Sequence, residues 1–219
     1  MKRIIAVCYI AGFILTASAM AEMLFTAQPV GQGKWTALIG YVDNVNVSNN
    51  PGLTGPTPYI HVGYGINNKT DLILQSGVCY VKGLPSPTSL TGSDIGLTLK
   101  YQLLDRQNYP FSLAAHATVR LTHYVGGGGL NTDMSGNSSR IGFVVSKVIA
   151  SFTPYAGASY QFSSLNGITD TIFNPTIGVS ANCSKQVAFF IEDTLQMYHS
   201  HTGTDYKSNQ LAFGVGCTI

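Results

Sequence analysis

The sequence predicts an all-β fold, a closed antiparallel transmembrane β-barrel of about ten strands. In residues 211–219, apolar side chains occupy every odd position and small or weakly polar ones every even position. This alternation recurs in segments of about ten residues, between which long polar connections alternate with short turns. Only 10% of the residues are charged and 45% are hydrophobic, whereas about 25% charged is typical of soluble domains.

The chain begins with the features of a secretory signal peptide. Residues 1–3 carry positive charge, 4–15 form a short apolar run, and 19–21 offer a small-residue cleavage site. The apolar run is shorter than the roughly 20 residues that a transmembrane helix needs. The predicted regions are a signal peptide (1–21), an N-terminal periplasmic segment (22–33) and the barrel (34–219).

Ten segments carry the alternation, and an even strand number is typical of single-chain bacterial barrels. The predicted strands are 34–43, 58–66, 70–80, 93–104, 110–124, 139–151, 153–162, 172–182, 187–198 and 208–219. Short turns in such barrels lie on the periplasmic side and long loops outside the cell. Both ends of the predicted barrel are therefore periplasmic.

The predicted strand 110–124 shows the two faces most clearly. Leu113 and Val119 lie on one face, and His116 and Arg120 lie on the other. The alternative is a soluble barrel of lipocalin type, with the apolar face inward. The polar face carries only one or two charges per strand among Gly, Ser and Thr, which favours a packed polar lumen and an outer face toward lipid.

Several side chains test this assignment of faces. Lys147 and Asp193 fall on the apolar face, where Lys147 can extend its amine to the membrane surface. Aromatic residues gather at the expected strand ends, as in the belts of membrane barrels. The predicted periplasmic belt is Trp35, Tyr101, Phe111, Phe152 and Phe189, and the outer belt is Tyr41, Tyr80, Tyr124, Phe162, Phe173 and Tyr198.

Everything after the signal peptide resembles the small outer-membrane β-barrel proteins of Gram-negative bacteria. The strand Asp-Ile-Gly-Leu-Thr-Leu-Lys-Tyr at 94–101 is similar to a motif of a broad group of outer-membrane transporters and porin-like proteins. The resemblance implies a location in the cell outer membrane, contact with outer-membrane lipid, and insertion by the barrel assembly machinery.

Charged residues of the predicted inner face form the first candidate site. The predicted inward charges are His61, Asp71, Asp94, Lys100, His116, Arg120, Arg140 and Glu192, and the predicted network consists of His61, Lys100, His116, Arg120 and Glu192. Side chains fill much of so narrow a barrel, and charges away from water need partners. We therefore expect a structural network in which Glu192 pairs with Lys100 or Arg120. A gated ion path is the alternative.

A cluster at the expected outer rim forms the second candidate site. His199, Ser200, His201 and Asp205 offer a base, a nucleophile and an orienting carboxylate. The outer-membrane lipid A deacylases carry a His-x-Ser spacing, whereas the serine here follows His199 directly. His199 and His201 also have the spacing of a weak metal pair. The favoured interpretation is a solvated loop with no catalytic role.

These observations predict a small non-enzymatic outer-membrane barrel, either structural or a narrow passive pore or transporter. A surface-binding protein acting through its loops is one alternative, and a lipid-modifying hydrolase is another. Neither a cofactor nor a metal is predicted. The net charge is +2, without the basic stripe that nucleic-acid binding would need.

Overall fold

A computed structural model describes residues 26–47, 57–81, 89–127, 133–165, 168–184, 186–199 and 205–219. Ten antiparallel strands within these ranges close into one barrel, which confirms the predicted fold class. The strands are β1 (Trp35–Val47), β2 (Thr57–Gly65), β3 (Thr70–Val81), β4 (Ser89–Leu104), β5 (Ser112–Gly127), β6 (Asp133–Ser146), β7 (Phe152–Leu165), β8 (Ile168–Asn182), β9 (Val187–His199) and β10 (Asp205–Thr218). The predicted signal peptide lies outside the described residues. Within the described ranges, no helix has the length and apolar character needed to cross a membrane.

Pairing of the first strand with the last closes the barrel. β1 and β10 pair from Thr36 and Thr218 onward, with one irregularity between Asn44 and Asn46. Beyond this ladder, the Trp35 N–H donates to the Ile219 carbonyl at 3.0 Å, and the Ile219 N–H donates to the Trp35 carbonyl at 2.8 Å. Closure of this kind leaves no unpaired sheet edge.

The strand register is staggered around the barrel. If each residue is followed to its direct partner on the next strand, the resulting row of residues crosses the barrel obliquely. This hydrogen-bonded row starts at Trp35, at the beginning of β1. It reaches Lys207 near the beginning of β10, at the opposite end of the barrel. Its members are Trp35, Tyr64, Leu72, Leu99, Ala117, Ile141, Tyr160, Phe173, Met197 and Lys207. Strands of such barrels tilt by about 35–45°, so successive members of the row lie progressively further from the periplasmic end.

Short turns join the strands at the end of the barrel that holds Trp35 and Ile219. In the turn between β4 and β5, the Asp105 carboxylate accepts backbone N–H groups of Gln107 at 2.9 Å and Asn108 at 3.1 Å. Such local acceptance by Asp is a common way to stabilise a turn. We call this end periplasmic, because short turns mark the periplasmic side of outer-membrane barrels.

The barrel is apolar outside and polar inside. Large apolar side chains stand exposed on its outer face, with Val119, Leu121 and Ile141 each at least 60% exposed. Gln161 and Gln196, by contrast, are buried in the lumen. A soluble barrel would show the reverse arrangement, so the outer face is the one that suits lipid.

The structure also shows where individual side chains depart from expectation. Tyr124 and Tyr198 were placed in the outer aromatic belt, but both are buried and face the lumen. Each is an even number of residues away from the inner residues of its strand. Since successive side chains of a strand point to opposite faces, this spacing places both rings in the lumen, whatever their distance from the membrane surface. Asp193 is exposed on the outer face of β9, as predicted, whereas β6 ends at Ser146 and the exposed Lys147 follows it in the connection to β7.

Candidate functional site

All five residues of the predicted charge network lie in the lumen. They come from β2, β4, β5 and β9, and each is less than a tenth exposed. The exposed fractions are 4% for His61, 4% for Lys100, 6% for His116, 2% for Arg120 and 1% for Glu192. The structure therefore brings these side chains into one buried space, where Lys100 has a partner other than the expected one.

Lys100 forms its ion pair with Asp71 and not with Glu192. The two residues are direct cross-strand partners on β4 and β3, and Lys100 Nζ lies 2.9 Å from Asp71 Oδ2. The predicted pairing of Lys100 with Glu192 is therefore wrong. The strand register explains the difference, because it sets Asp71 directly opposite Lys100 on the same inner face.

This ion pair holds the N-terminal segment inside the barrel. Lys100 Nζ donates to the Gln28 carbonyl at 2.9 Å, and the Val30 N–H donates to Asp71 Oδ1 at 3.0 Å. One buried salt bridge thus satisfies backbone groups of a segment that enters the periplasmic opening. We expected residues 22–33 in the periplasm, whereas the described part of that segment, from residue 26 onward, folds back into the lumen.

The first described residues of the N-terminal segment lie in the lumen. Ala27 has no exposed surface and packs with Ala114, Val144 and Tyr155, while its N–H donates to Ser146 Oγ at 3.0 Å. Inner-face polar groups thus satisfy the backbone of the entering segment, as a buried backbone requires.

The neck of the segment passes close to the barrel wall. A Cβ on Gly65 would overlap the Gly31 carbonyl. Glycine at 65 therefore leaves room for the segment to pass.

Tyr155 and Glu192 meet in the lumen beyond the N-terminal segment. Tyr155 Oη donates to Glu192 Oε2 at 3.1 Å, and both side chains are buried. The Tyr155 ring lies over Gly178, its direct cross-strand partner, where a Cβ would overlap the ring. Tyr59 lies over Gly40 in the same way. Large rings thus lie along the inner wall over the neighbouring strand, because glycine on that strand leaves space for them.

Polar side chains fill the outer part of the lumen. Arg140 donates to Gln161, and Tyr198 Oη donates to Gln196 Oε1 at 2.6 Å. On neighbouring strands, the Thr98 and Thr118 hydroxyls lie 2.7 Å apart. Hydrogen bonds among inner side chains are what a narrow polar barrel needs in place of water.

A cavity of about 350 Å³ remains at the periplasmic end. Gln28, His61, Lys100 and Arg106 are among the residues that line it. The N-terminal segment thus forms part of the cavity wall. The space is large enough for several water molecules.

Sequence reasoning missed the inner tyrosines that narrow the lumen. Tyr59, Tyr124 and Tyr155 each face a glycine directly across the strand pair. A tyrosine opposite a glycine in a hairpin is a usable signal, since the ring fills the space that glycine leaves. It becomes visible only once the register of the two strands is known.

The predicted rim cluster is only partly within the described residues, because Ser200 and His201 lie outside them. His199 and Asp205 are direct cross-strand partners at the outer ends of β9 and β10. Their Nδ1 and Oδ1 atoms lie 2.8 Å apart, and both side chains are more than 70% exposed. Among the described residues, no three metal-ligating side chains form a group.

Comparison with known proteins shows a likeness of structure. No family model matches the chain, and no curated protein matches it in sequence. The translocator domain of the autotransporter NalP from Neisseria meningitidis shares 11% identity over 99% of this chain and 97% of its own, with a TM-score of 0.51. The transport unit of the autotransporter AIDA-I from Escherichia coli shares 9% identity over 95% of this chain and 96% of its own, also with a TM-score of 0.51.

Neisserial surface protein A shares 16% identity over 84% of this chain and 95% of its own, with a TM-score of 0.44. The chain has the fold of Gram-negative outer-membrane β-barrels. At these identities the likeness extends to the fold alone. The resemblance of residues 94–101 to outer-membrane transporters stays a prediction.

Proposed function

We propose that this chain is a structural, non-enzymatic barrel of the outer membrane, with a lumen closed to solutes. The observations that support the proposal are contacts at two levels of the lumen. The N-terminal segment enters the periplasmic opening, held by the Lys100–Asp71 pair, and the Tyr155–Glu192 contact lies in the lumen beyond it.

The size of the barrel supports a closed lumen. Interior width grows with strand number, and open aqueous channels belong to barrels of about 16 to 18 strands. Inward glycines such as Gly40 and Gly178 would widen a ten-stranded lumen, but Tyr59 and Tyr155 cover them. A narrow pore would need these rings to move.

The rim supports a non-catalytic role. His199 and Asp205 form an exposed side-chain contact on the outer face, and exposed polar pairs of this kind are common and contribute little energy. A catalytic imidazole is more often held in a site that excludes water. The geometry thus favours a structural barrel over a hydrolase.

Conductance of the refolded chain in planar bilayers tests the closed lumen. We expect no current or only small, intermittent steps. Deletion of residues 22–33 should leave the current low, because the Tyr155–Glu192 level remains closed. The same deletion combined with Tyr155→Ala and Tyr59→Ala should produce steady conductance, because both levels are then open.

Two outcomes would contradict the closed lumen. Stable, large steps from the unaltered chain would show an open channel. Stable small steps whose ion selectivity changes in Glu192→Gln would favour the narrow pore. Asp193→Asn, on the outer face, is the matched control and should not alter the current.

A further inference from the structure

The outer face carries a groove that crosses the barrel obliquely, and we call it the outer groove. Its upper part, about 500 Å³, lies between β7 and β10 and is lined by Phe173, Met197 and Lys207, among others. Its lower part, about 570 Å³, lies between β4 and β8 and is lined almost entirely by apolar side chains. Tyr160 and Phe173 line both parts, so the two parts adjoin at these rings.

The strand register explains why the groove is oblique. Leu99, Ala117, Tyr160, Phe173 and Lys207 belong to one hydrogen-bonded row. This row rises from the lower part of the groove to the outer rim because the strands tilt. With strands about 4.8 Å apart, the six steps from β4 to β10 span roughly 29 Å.

Alanines make the floor of the lower part. Ala117 on β5 lies between its partners Leu99 and Ile141, and Ala115 lies between Tyr101 and Phe143. Side chains of one methyl group thus alternate with large ones on neighbouring strands. The result is a shallow apolar channel on a face that is otherwise ridged by exposed aliphatic and aromatic side chains.

The charged side chains on the outer lining of the groove stand at its upper end. His199, Asp205 and Lys207 line it there and are exposed. A carboxylate can only accept a hydrogen bond, so the His199 Nδ1 contacting Asp205 carries the proton and Nε2 points to other partners. Lys207 stands on β10 with Asp205, two residue pairs further in. A cation near the membrane surface attracts anionic lipid headgroups.

We propose that the outer groove binds a phosphorylated acyl lipid of the outer leaflet, of the lipid A class. The phosphate contacts Lys207 and His199, and one acyl chain passes over Phe173 and Tyr160 into the alanine-floored part. The charged groups stand at the headgroup end, where His199 contacts the Asp205 carboxylate and Lys207 supplies a cation, and the channel below is apolar, which matches the two halves of such a lipid. This site lies on the outer face and is independent of whether the lumen is closed.

Binding of lipid A to the full chain, measured by native mass spectrometry from detergent, tests the site. Lys207→Gln should weaken binding about fivefold, the equivalent of one cation near a membrane surface, and His199→Gln should weaken it further. The matched control is His123→Gln. His123 stands at the outer end of β5, where its Nδ1 lies 3.5 Å from Asp133 Oδ1, outside the groove.

A second pair of variants tests the acyl-chain part. Ala117→Trp fills the channel and should reduce binding, whereas Val119→Trp, two residues further along the same strand and 60% exposed, should not. Removal of the phosphate should have the same effect as removal of its two contacts. Binding of dephosphorylated lipid A to the unaltered chain should therefore be as weak as binding of lipid A to the Lys207→Gln and His199→Gln double variant.

Three outcomes would overturn the proposal. They are equal binding by the unaltered chain and the double variant, equal loss in His123→Gln, and unchanged binding in Ala117→Trp. Dimers that disappear in Ala117→Trp without any change in lipid binding would instead assign the groove to a second copy of this chain. None of these measurements depends on conductance, so a result that contradicts the lipid site would not contradict the closed lumen.

Discussion

At the scale of single residues, burial of polar side chains decides what the lumen can do. Glu192 is 1% exposed and accepts a hydrogen bond from Tyr155. A buried carboxylate needs such donors, because burying an ion without them costs several kcal/mol. This contact within the lumen therefore compensates a buried charge.

Removal of this hydrogen bond should destabilise the barrel. Tyr155→Phe should lower the free energy of unfolding by about 1.5–3 kcal/mol, the usual contribution of a hydrogen bond to a charged group. Urea titration in lipid vesicles provides the measurement. Tyr109→Phe, in an exposed periplasmic turn, is the control and should have little effect.

A double-mutant cycle separates the contact from other effects of each substitution. Tyr155→Phe and Glu192→Gln should be coupled by about 1 kcal/mol or more, since they remove two ends of one interaction. Additive effects of the two substitutions would contradict a direct contact.

At the scale of elements, the N-terminal segment shows how a tertiary contact determines a conformation. Its short polar sequence has no alternation that would predict a strand. It enters the barrel because Asp71, Lys100 and Ser146 satisfy its backbone groups. These partners lie 41 to 119 residues away in the chain.

Loss of the Asp71 charge should loosen the N-terminal segment. In a chain lacking Cys79, Cys183 and Cys217, Ala27→Cys should react slowly with a water-soluble maleimide, because Ala27 is fully buried. Asp71→Asn should speed this labelling by about tenfold or more, since each 1.4 kcal/mol lost from the closed state is a factor of ten in opening.

The control for this experiment is Asp193→Asn on the outer face, which should leave the labelling rate unchanged. The comparison is between two cysteine-substituted chains, one with Asp71→Asn and one with Asp71 intact. Equal labelling rates of Ala27→Cys in the two would show that the segment is held by something other than the Lys100–Asp71 pair.

At the scale of the whole molecule, the closed ring of ten strands exposes apolar side chains on one surface and polar ones within. Leu97, Val119 and Val215 stand on the outer face. Asp193 is the exception, placed between the apolar partners Leu211 and Ile177. A charge on this surface costs energy according to its depth in the bilayer.

Cysteine substitutions test which surface meets lipid. In membranes, Leu97→Cys, Val119→Cys and Val215→Cys should be shielded from water-soluble thiol reagents, again in a chain without its own cysteines. Gln107→Cys in a periplasmic turn should label rapidly. Rapid labelling at the three outer positions would contradict the assignment of this face to lipid.

The sequence by itself determined the strand number, the approximate strand positions and the face of almost every side chain, with β6 shifted from the predicted 139–151 to Asp133–Ser146. These properties depend on alternation within about ten residues, which is local. A stretch such as 112–122 is therefore long enough to predict a strand and the face of each of its side chains. The exceptions were Tyr124 and Tyr198, where an expected aromatic belt was preferred to the parity of the strand.

Only the tertiary structure decided which side chains meet. Lys100 pairs with Asp71 instead of Glu192 because of the cross-strand register, and Tyr155 reaches Glu192 because Gly178 makes room for its ring. The N-terminal segment and the outer groove likewise depend on residues from several strands. Register and stagger are properties of the closed ring, and no single segment of sequence contains them.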